Sequence, residues 1–172
     1  EQRTKVVVAE VSRAATFLKR SSVPRRLLAD LEFFPNGTVR QRRAVTLGVR
    51  LRNLVKKKRV LEARELVDTY VEFNHDLWRW GVFERIFKFS RNNGVIGKRI
   101  VLLDPFELLY DQADIEERLR KKPCGYWIRE ARLPSSIGDY FRRQCNQAFS
   151  VRNFRKLWKS KIAHGRPVHN SS

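Results

Sequence analysis

Apolar positions recur at three- and four-residue intervals over most of the chain, and each such stretch predicts an amphipathic helix. Between Thr4 and Lys19 the stripe is Val7, Val11, Ala14, Ala15 and Leu18, although Val6-Val7-Val8 leaves a short strand open at its start. Ser22 and Pro24 read as a cap and a first-turn proline for a helix over Arg25–Phe34, closed by the turn Pro35–Thr38. Ala44, Leu47, Gly48, Leu51, Leu54 and Val55 mark the apolar face of the next helix. On that helical reading Arg43, Arg50 and Lys57 are seven apart and share the opposite face. Val60, Ala63, Val67, Tyr70 and Val71 predict a further helix over Val60–Phe73.

From Asp76 to Arg91 the pattern is apolar on several sides, through Leu77, Trp78, Trp80, Val82, Phe83, Ile86, Phe87 and Phe89. This predicts a helix enclosed by others, with Asn93-Gly94 as its left-handed cap. Ile100–Leu103 is an apolar run too short to assign. Asp104-Pro105-Phe106-Glu107 has the form of a helix start, and the helix it opens carries Asp114–Arg118, Glu116–Arg120 and Glu117–Lys121 pairs on a solvated face. Pro123, Gly125, Pro134 and Gly138 predict a loop, followed by helices over Ile137–Phe149 and Val151–Ala163, the second capped by Ser150 and ended by Gly165 and Pro167. The expected fold class is therefore all-α: antiparallel, repeat-like helical hairpins with a basic C-terminal helical extension. The expected organisation is an N-terminal helical segment (1–37), a helical core (38–122) and the extension (123–172).

Charge changes this picture. The 172 residues carry a formal net charge of +19, and the isoelectric point is near 10.9. Residues 38–59 hold nine Lys or Arg and no acid, and residues 123–172 hold ten against two. Residues 60–122 hold 11 against 12. A near-neutral packing unit with two cationic surfaces is the reading. A solvated helix face ordinarily mixes signs, so an unmixed one points to a polyanion. The candidate RNA-binding residues are Arg40, Arg42, Arg43, Arg50, Arg52, Lys56, Lys57, Lys58 and Arg59 in the first segment. In the second they are Arg152, Arg155, Lys156, Lys159, Lys161 and Arg166. They would contact phosphates, which position RNA without reading its sequence. Tyr126, Trp127, Phe154 and Trp158 are interspersed aromatics able to stack on unpaired bases, with core packing as their competing role.

The stretch Lys57 to Leu66, "KKRVLEAREL", resembles the turn and second helix of a pentatricopeptide-type repeat. Arg59, Glu62, Ala63 and Leu66 match that family's junction in frame, and Lys56 fits; Lys58 stands where the family prefers glycine. The resemblance covers residues 45–76 and implies two antiparallel helices, with a degenerate second copy from near Leu77. The position from which such repeats read bases is Gly48 here, so the resemblance implies helical packing plus phosphate contact rather than base reading. In class and composition the chain also resembles basic organellar (mitochondrial) ribosomal proteins. That resemblance implies a structural rRNA-binding role among neighbouring proteins in the mitochondrial matrix; a chain with no Met, starting at Glu1, fits removal of a transit peptide and equally a start shortened in any other way.

Other chemistries find little support. "GVIGKR" (94–99) is too short for a phosphate-binding Walker loop and lacks the strands around a KH-type glycine loop, so a helix cap and turn is expected. His75, His164 and His169 lack metal-ligand spacing with Cys124 or Cys145, which are expected as free thiols in a reducing compartment. No enzyme activity, cofactor, metal, small-molecule substrate or transmembrane segment is expected. The alternatives to a ribosomal protein are a free-standing helical-repeat RNA-binding regulator and a basic accessory subunit of a protein or membrane complex.

Overall fold

Helix α1 (Gln2–Arg20) forms where the first apolar stripe predicts it, and buries Ala14 and Leu18. The computed structural model of the chain describes residues 2–85, 87–121 and 124–158. Beyond α1 it departs from the all-α expectation. Among the described residues are eight helices and seven antiparallel strands in three small sheets, with 12% of the chain in strands. The fold is mixed α/β.

The first departure is at Arg25–Phe34. A 3-10 turn covers only Arg25–Leu28, and Ala29 and Asp30 then take left-handed φ values of 53° and 55°. Strands β1 (Glu32–Phe33) and β2 (Val39–Arg40) pair around the Pro35–Thr38 turn. Within it Gly37 adopts φ 82°, and the Asn36 side chain accepts from the Thr38 backbone N–H at 3.1 Å. Local turn chemistry joins residues 32 to 40 as a hairpin and outweighs the helical stripe.

Strand β3 (Val45–Thr46) takes the next two positions, so helix α2 begins only at Leu47 and ends at Lys56. It buries Leu47, Gly48, Leu51 and Leu54, as the stripe requires. Residues 57–59 turn the chain into α3 (Val60–Arg79), with Lys58 at φ 59°, the left-handed region that glycine enters freely. Two consecutive helices thus occupy residues 47–56 and 60–79, residues 45 and 46 being strand, and α3 continues past Phe73 to Arg79.

The expected helix over Asp76–Arg91 does not form. Gly81 takes φ 70° and breaks the chain after α3. Strand β4 (Phe83–Glu84) and the single turn α4 (Phe89–Asn92) follow. Phe83, Phe87 and Phe89 are all buried, which is why the sequence looks apolar on every side. Such a run does not distinguish an enclosed helix from several short buried elements. Asn93-Gly94 is likewise no helix cap. It opens strand β5 (Asn93–Ile96), which turns through Gly97-Lys98 into β6 (Arg99–Leu102). β5 is the central strand, pairing Val45 with Val95 and Val95 with Ile100. Valine and isoleucine pairs on both sides of Gly-Lys are a hairpin pattern.

After Asp104 the chain does not become helical. Strand β7 (Leu108–Leu109) pairs with β4, and helix α5 (Gln112–Arg120) starts later. Asp111 is its cap, accepting the Asp114 backbone N–H at 3.0 Å. The expected loop contains helix α6 (Cys124–Glu130). Helix α7 (Ser135–Ala148) and helix α8 (Val151–Trp158) agree with expectation, and the Ser150 hydroxyl accepts the Asn153 N–H at 3.2 Å. The remainder of the expected last helix lies outside the described residues.

The core gathers on α3. Tyr70 packs edge-on to Phe141 of α7 at 5.3 Å, and Trp78 stacks on Phe83 at 5.7 Å and meets Phe149 and Phe154. One cluster of buried side chains runs from Leu18 to Trp158. α2 approaches α4 tightly at Gly48, where an added Cβ would sit 2.8 Å from the Ser90 Cβ and 3.0 Å from its carbonyl oxygen. Alanine is favoured over glycine in helices by about 1 kcal/mol, yet here it must push two backbones apart. Gly48→Ala is expected to lower stability by about 1–3 kcal/mol, seen as a lower urea midpoint at unchanged m.

Glu84 is buried to 1% exposure in this core. One carboxyl oxygen accepts Asn92 Nδ2 at 3.0 Å, while the other has no hydrogen-bond partner. Burial pushes its pKa from 4.5 up to about 7, with the Asn92 hydrogen bond opposing. The folded state therefore holds a proton that the unfolded chain releases, so stability falls as pH rises from 4.5 to about 7 and then levels off. The expected loss is about 3 kcal/mol. Glu84→Gln removes that slope in urea melts run between pH 4.5 and 8.

Candidate nucleic-acid interface

The nine cations of residues 38–59 fall on three local structures rather than one helix. Arg40 lies on β2 directly opposite Glu32, and its guanidinium donates to the Glu32 carboxylate at 2.6 and 3.1 Å. Its Cζ is also 5.5 Å from the Phe34 ring centre. Arg42 comes within 3.9 Å of Asp30. Arg43 is exposed, but it precedes β3 and is not on α2. Lys57 caps α2 at its end. The expected helical stripe Arg43–Arg50–Lys57 is therefore not a face of one helix: pairing of β3 with β5 draws residues 45 and 46 into a sheet.

On α2 the buried leucines turn Arg50, Arg52 and Lys56 outward. Lys57, Lys58 and Arg59 extend the cationic ridge around the turn into α3. Arg59 forks onto Glu62, which raises the arginine and lowers the carboxyl. The charges of Arg50 and Lys98 also lower Glu62, after Arg59. Arg52 reaches the other way, and its Nη1 donates to the Ala131 carbonyl at 3.1 Å just past the end of α6. A guanidinium there satisfies a terminal carbonyl and complements the helix dipole. Arg43, Arg50, Lys56, Lys57 and Lys58 make no ion pair among the described residues.

In the second basic segment Arg152 and Lys156 are exposed on α8. Arg155 is exposed as well but is paired. It forks onto Glu116 of α5 at 2.6 and 2.7 Å, and the Glu116 side chain is only 7% exposed. Gln112 and Arg120 also donate to Glu116. Lys159, Lys161 and Arg166 lie outside the described residues.

Several cations escaped the sequence reading. Lys98 and Arg99 stand exposed at the β5–β6 turn. Arg64 and Arg143 sit 5.2 and 5.9 Å from the Tyr140 ring centre, and the Tyr140 hydroxyl donates to Asp68 at 2.8 Å. Arg129 and Arg132 are exposed near the Arg52–Ala131 contact. The signal for the last two was the ten-to-two imbalance of residues 123–172, which is not confined to its final helix. Of the four candidate stacking rings, Phe154 and Trp158 are core residues and Trp127 is partly buried, with Lys88 Nζ 5.2 Å from its ring centre. Only Tyr126 among them is exposed.

Other groups are structural. Cys124 and Cys145 are buried free thiols, and burial, then Cys124, pushes Cys145 up. His75 packs against Trp78 and Phe149, and burial lowers its pKa. Among the described residues no three His, Cys, Asp or Glu side chains are grouped to hold a metal, and no helix is long and apolar enough to cross a membrane. No known protein family, curated protein or solved structure matches the chain.

Arg155 and Lys156 are adjacent and differ in burden. Arg155 first, then Gln112, holds the Glu116 carboxyl down at about 2. The stabilisation this represents is present above the ordinary 4.5 and is lost as pH falls through about 2. Arg155→Gln is expected to lower the melting temperature at pH 7 and to shrink the acid-side loss between pH 4.5 and 2. Lys156→Gln should alter neither. Thermal melts across pH 2–7, with the Glu116 carboxyl followed by NMR, make the comparison.

Proposed function

We propose that the protein is a structural RNA-binding component of a large ribonucleoprotein, a mitochondrial-matrix ribosomal protein that contacts rRNA phosphates and neighbouring proteins. The observation that carries this reading is the ridge of Arg50, Lys56, Lys57 and Lys58, exposed and without ion pairs among the described residues. Self-repulsion along such a ridge favours a polyanionic partner, and phosphates displace the counterions it holds. Base reading is not part of the proposal. Gly48, the position from which the resembled repeats read bases, is buried against Ser90 and has no side chain. The α2–α3 hairpin serves instead as a rigid support for the cations beside it. Directly after it the chain continues through strands β4 to β7 rather than a second helical pair.

The test has two linked readouts on the full chain. Native protein from cell extracts should sediment with a large particle in a sucrose gradient and move to the top after ribonuclease. In purified form, Arg50, Lys56, Lys57 and Lys58 replaced together by Gln should reduce the slope of log affinity against log salt by about 3 units, one phosphate being lost for each cation. Sedimentation unaffected by ribonuclease, together with an unchanged salt slope, would sink the proposal.

A further inference from the structure

We infer that Tyr126 is a stacking platform for an unpaired nucleobase, so the RNA partner presents a single-stranded or bulged residue next to the segment gripped by the α2 ridge. This rests on the RNA-binding reading and narrows it. Tyr126 is 53% exposed, more than Phe34 or Tyr110 at 37% each. One exposed tyrosine is ordinary on its own. Three further features set this ring apart.

The ring is held from one side. It meets Trp127 edge-on, with centroids 4.8 Å apart and planes at 85°, and Trp127 in turn packs on the core beneath Lys88. A ring already fixed by its neighbour loses little freedom when a base stacks on it. Its surroundings are cationic. Arg129 is one helical turn on from Tyr126 in α6, Arg132 follows the helix, and Lys88 lies over the adjacent indole; Glu130 is the acid of the same helix. Finally, the helix that carries the ring is tied to α2. Arg52 of α2 hydrogen-bonds Ala131, five residues on from Tyr126 and so about 8 Å along the helix axis. One strand can then place a phosphate at Arg52 or Arg132 and a base on Tyr126. A paired duplex cannot, since its bases are stacked on one another. The stacking is sequence-tolerant, because every base offers a π face.

The experiment compares two RNA hairpins of equal length, one fully paired and one with a single 2-aminopurine bulge, binding the full-length protein at low salt. Native protein should prefer the bulged hairpin by about fivefold to a hundredfold and should quench the 2-aminopurine emission. Tyr126→Phe should keep both effects. Tyr126→Ala should abolish the preference and the quenching without changing affinity for the paired hairpin. Circular dichroism should be unchanged, and loss of the edge contact with Trp127 should lower the melting temperature of Tyr126→Ala by no more than about 2–4 °C. Binding of both hairpins with equal affinity, or equal losses on both in Tyr126→Ala, overturns the platform while leaving phosphate binding intact. Failure of native protein to bind either hairpin removes the RNA reading itself, and the platform with it.

Discussion

The aromatic face of α3 is the constraint on which the other elements depend. Trp78 is fully buried and meets Phe83, Phe149 and Phe154, three rings that belong to β4, the residue after α7, and α8. Tyr70, two turns earlier, meets Phe89, Phe141 and Phe149. Aromatic rings bury large areas each and prefer edge-to-face contact, so one helix face sets the positions of elements up to 79 residues away in sequence. The charged surface is arranged around this. α2 can expose its cations only because its leucines and Gly48 are committed inward. Arg155 can hold Glu116 only because Phe154 beside it is anchored on Trp78.

Helices with an alternation of buried leucine and exposed charge were readable from the sequence: α2, α3, α7 and the start of α8 are where periodicity places them. The short strands were not. β1, β2, β3, β4 and β7 are two residues each, too short for any period to show. Their existence depends on partners far along the chain, as Val45 depends on Val95. Elsewhere two local signals lost to competing ones. Asn93-Gly94 reads as a helix cap only if Phe83–Phe89 is a helix, and the hairpin pattern across Gly97-Lys98 contradicts that. Asp104-Pro105 resembles a helix start as closely as Asp111 does, and only pairing of β7 with β4 selects the later one.

The same limit applies to the candidate interface. A run of cations is visible in sequence; their partners are not. Arg40, Arg59 and Arg155 look like Arg50 or Lys57 in the sequence, yet each lies against a carboxylate. For Arg40 and Arg155 that carboxylate is brought close only by folding. Arg52 differs again, being a cap on a helix that the sequence reading had as loop. Lysine would not replace arginine at the forked positions, because an ammonium cannot donate two parallel hydrogen bonds to one carboxylate.

The contact between Trp78 and Phe154 has a consequence for synthesis. A chain made from its N-terminus exposes α3 long before α8 exists to cover it. The two rings are 76 positions apart, and at cellular elongation rates that is a delay of roughly 4–15 s. During it an unshielded aromatic face and unpaired strand edges are open to other nascent chains. The nine cations of residues 38–59, already synthesised, give every such chain the same sign of charge. That shared charge opposes association of copies until α8 covers the face.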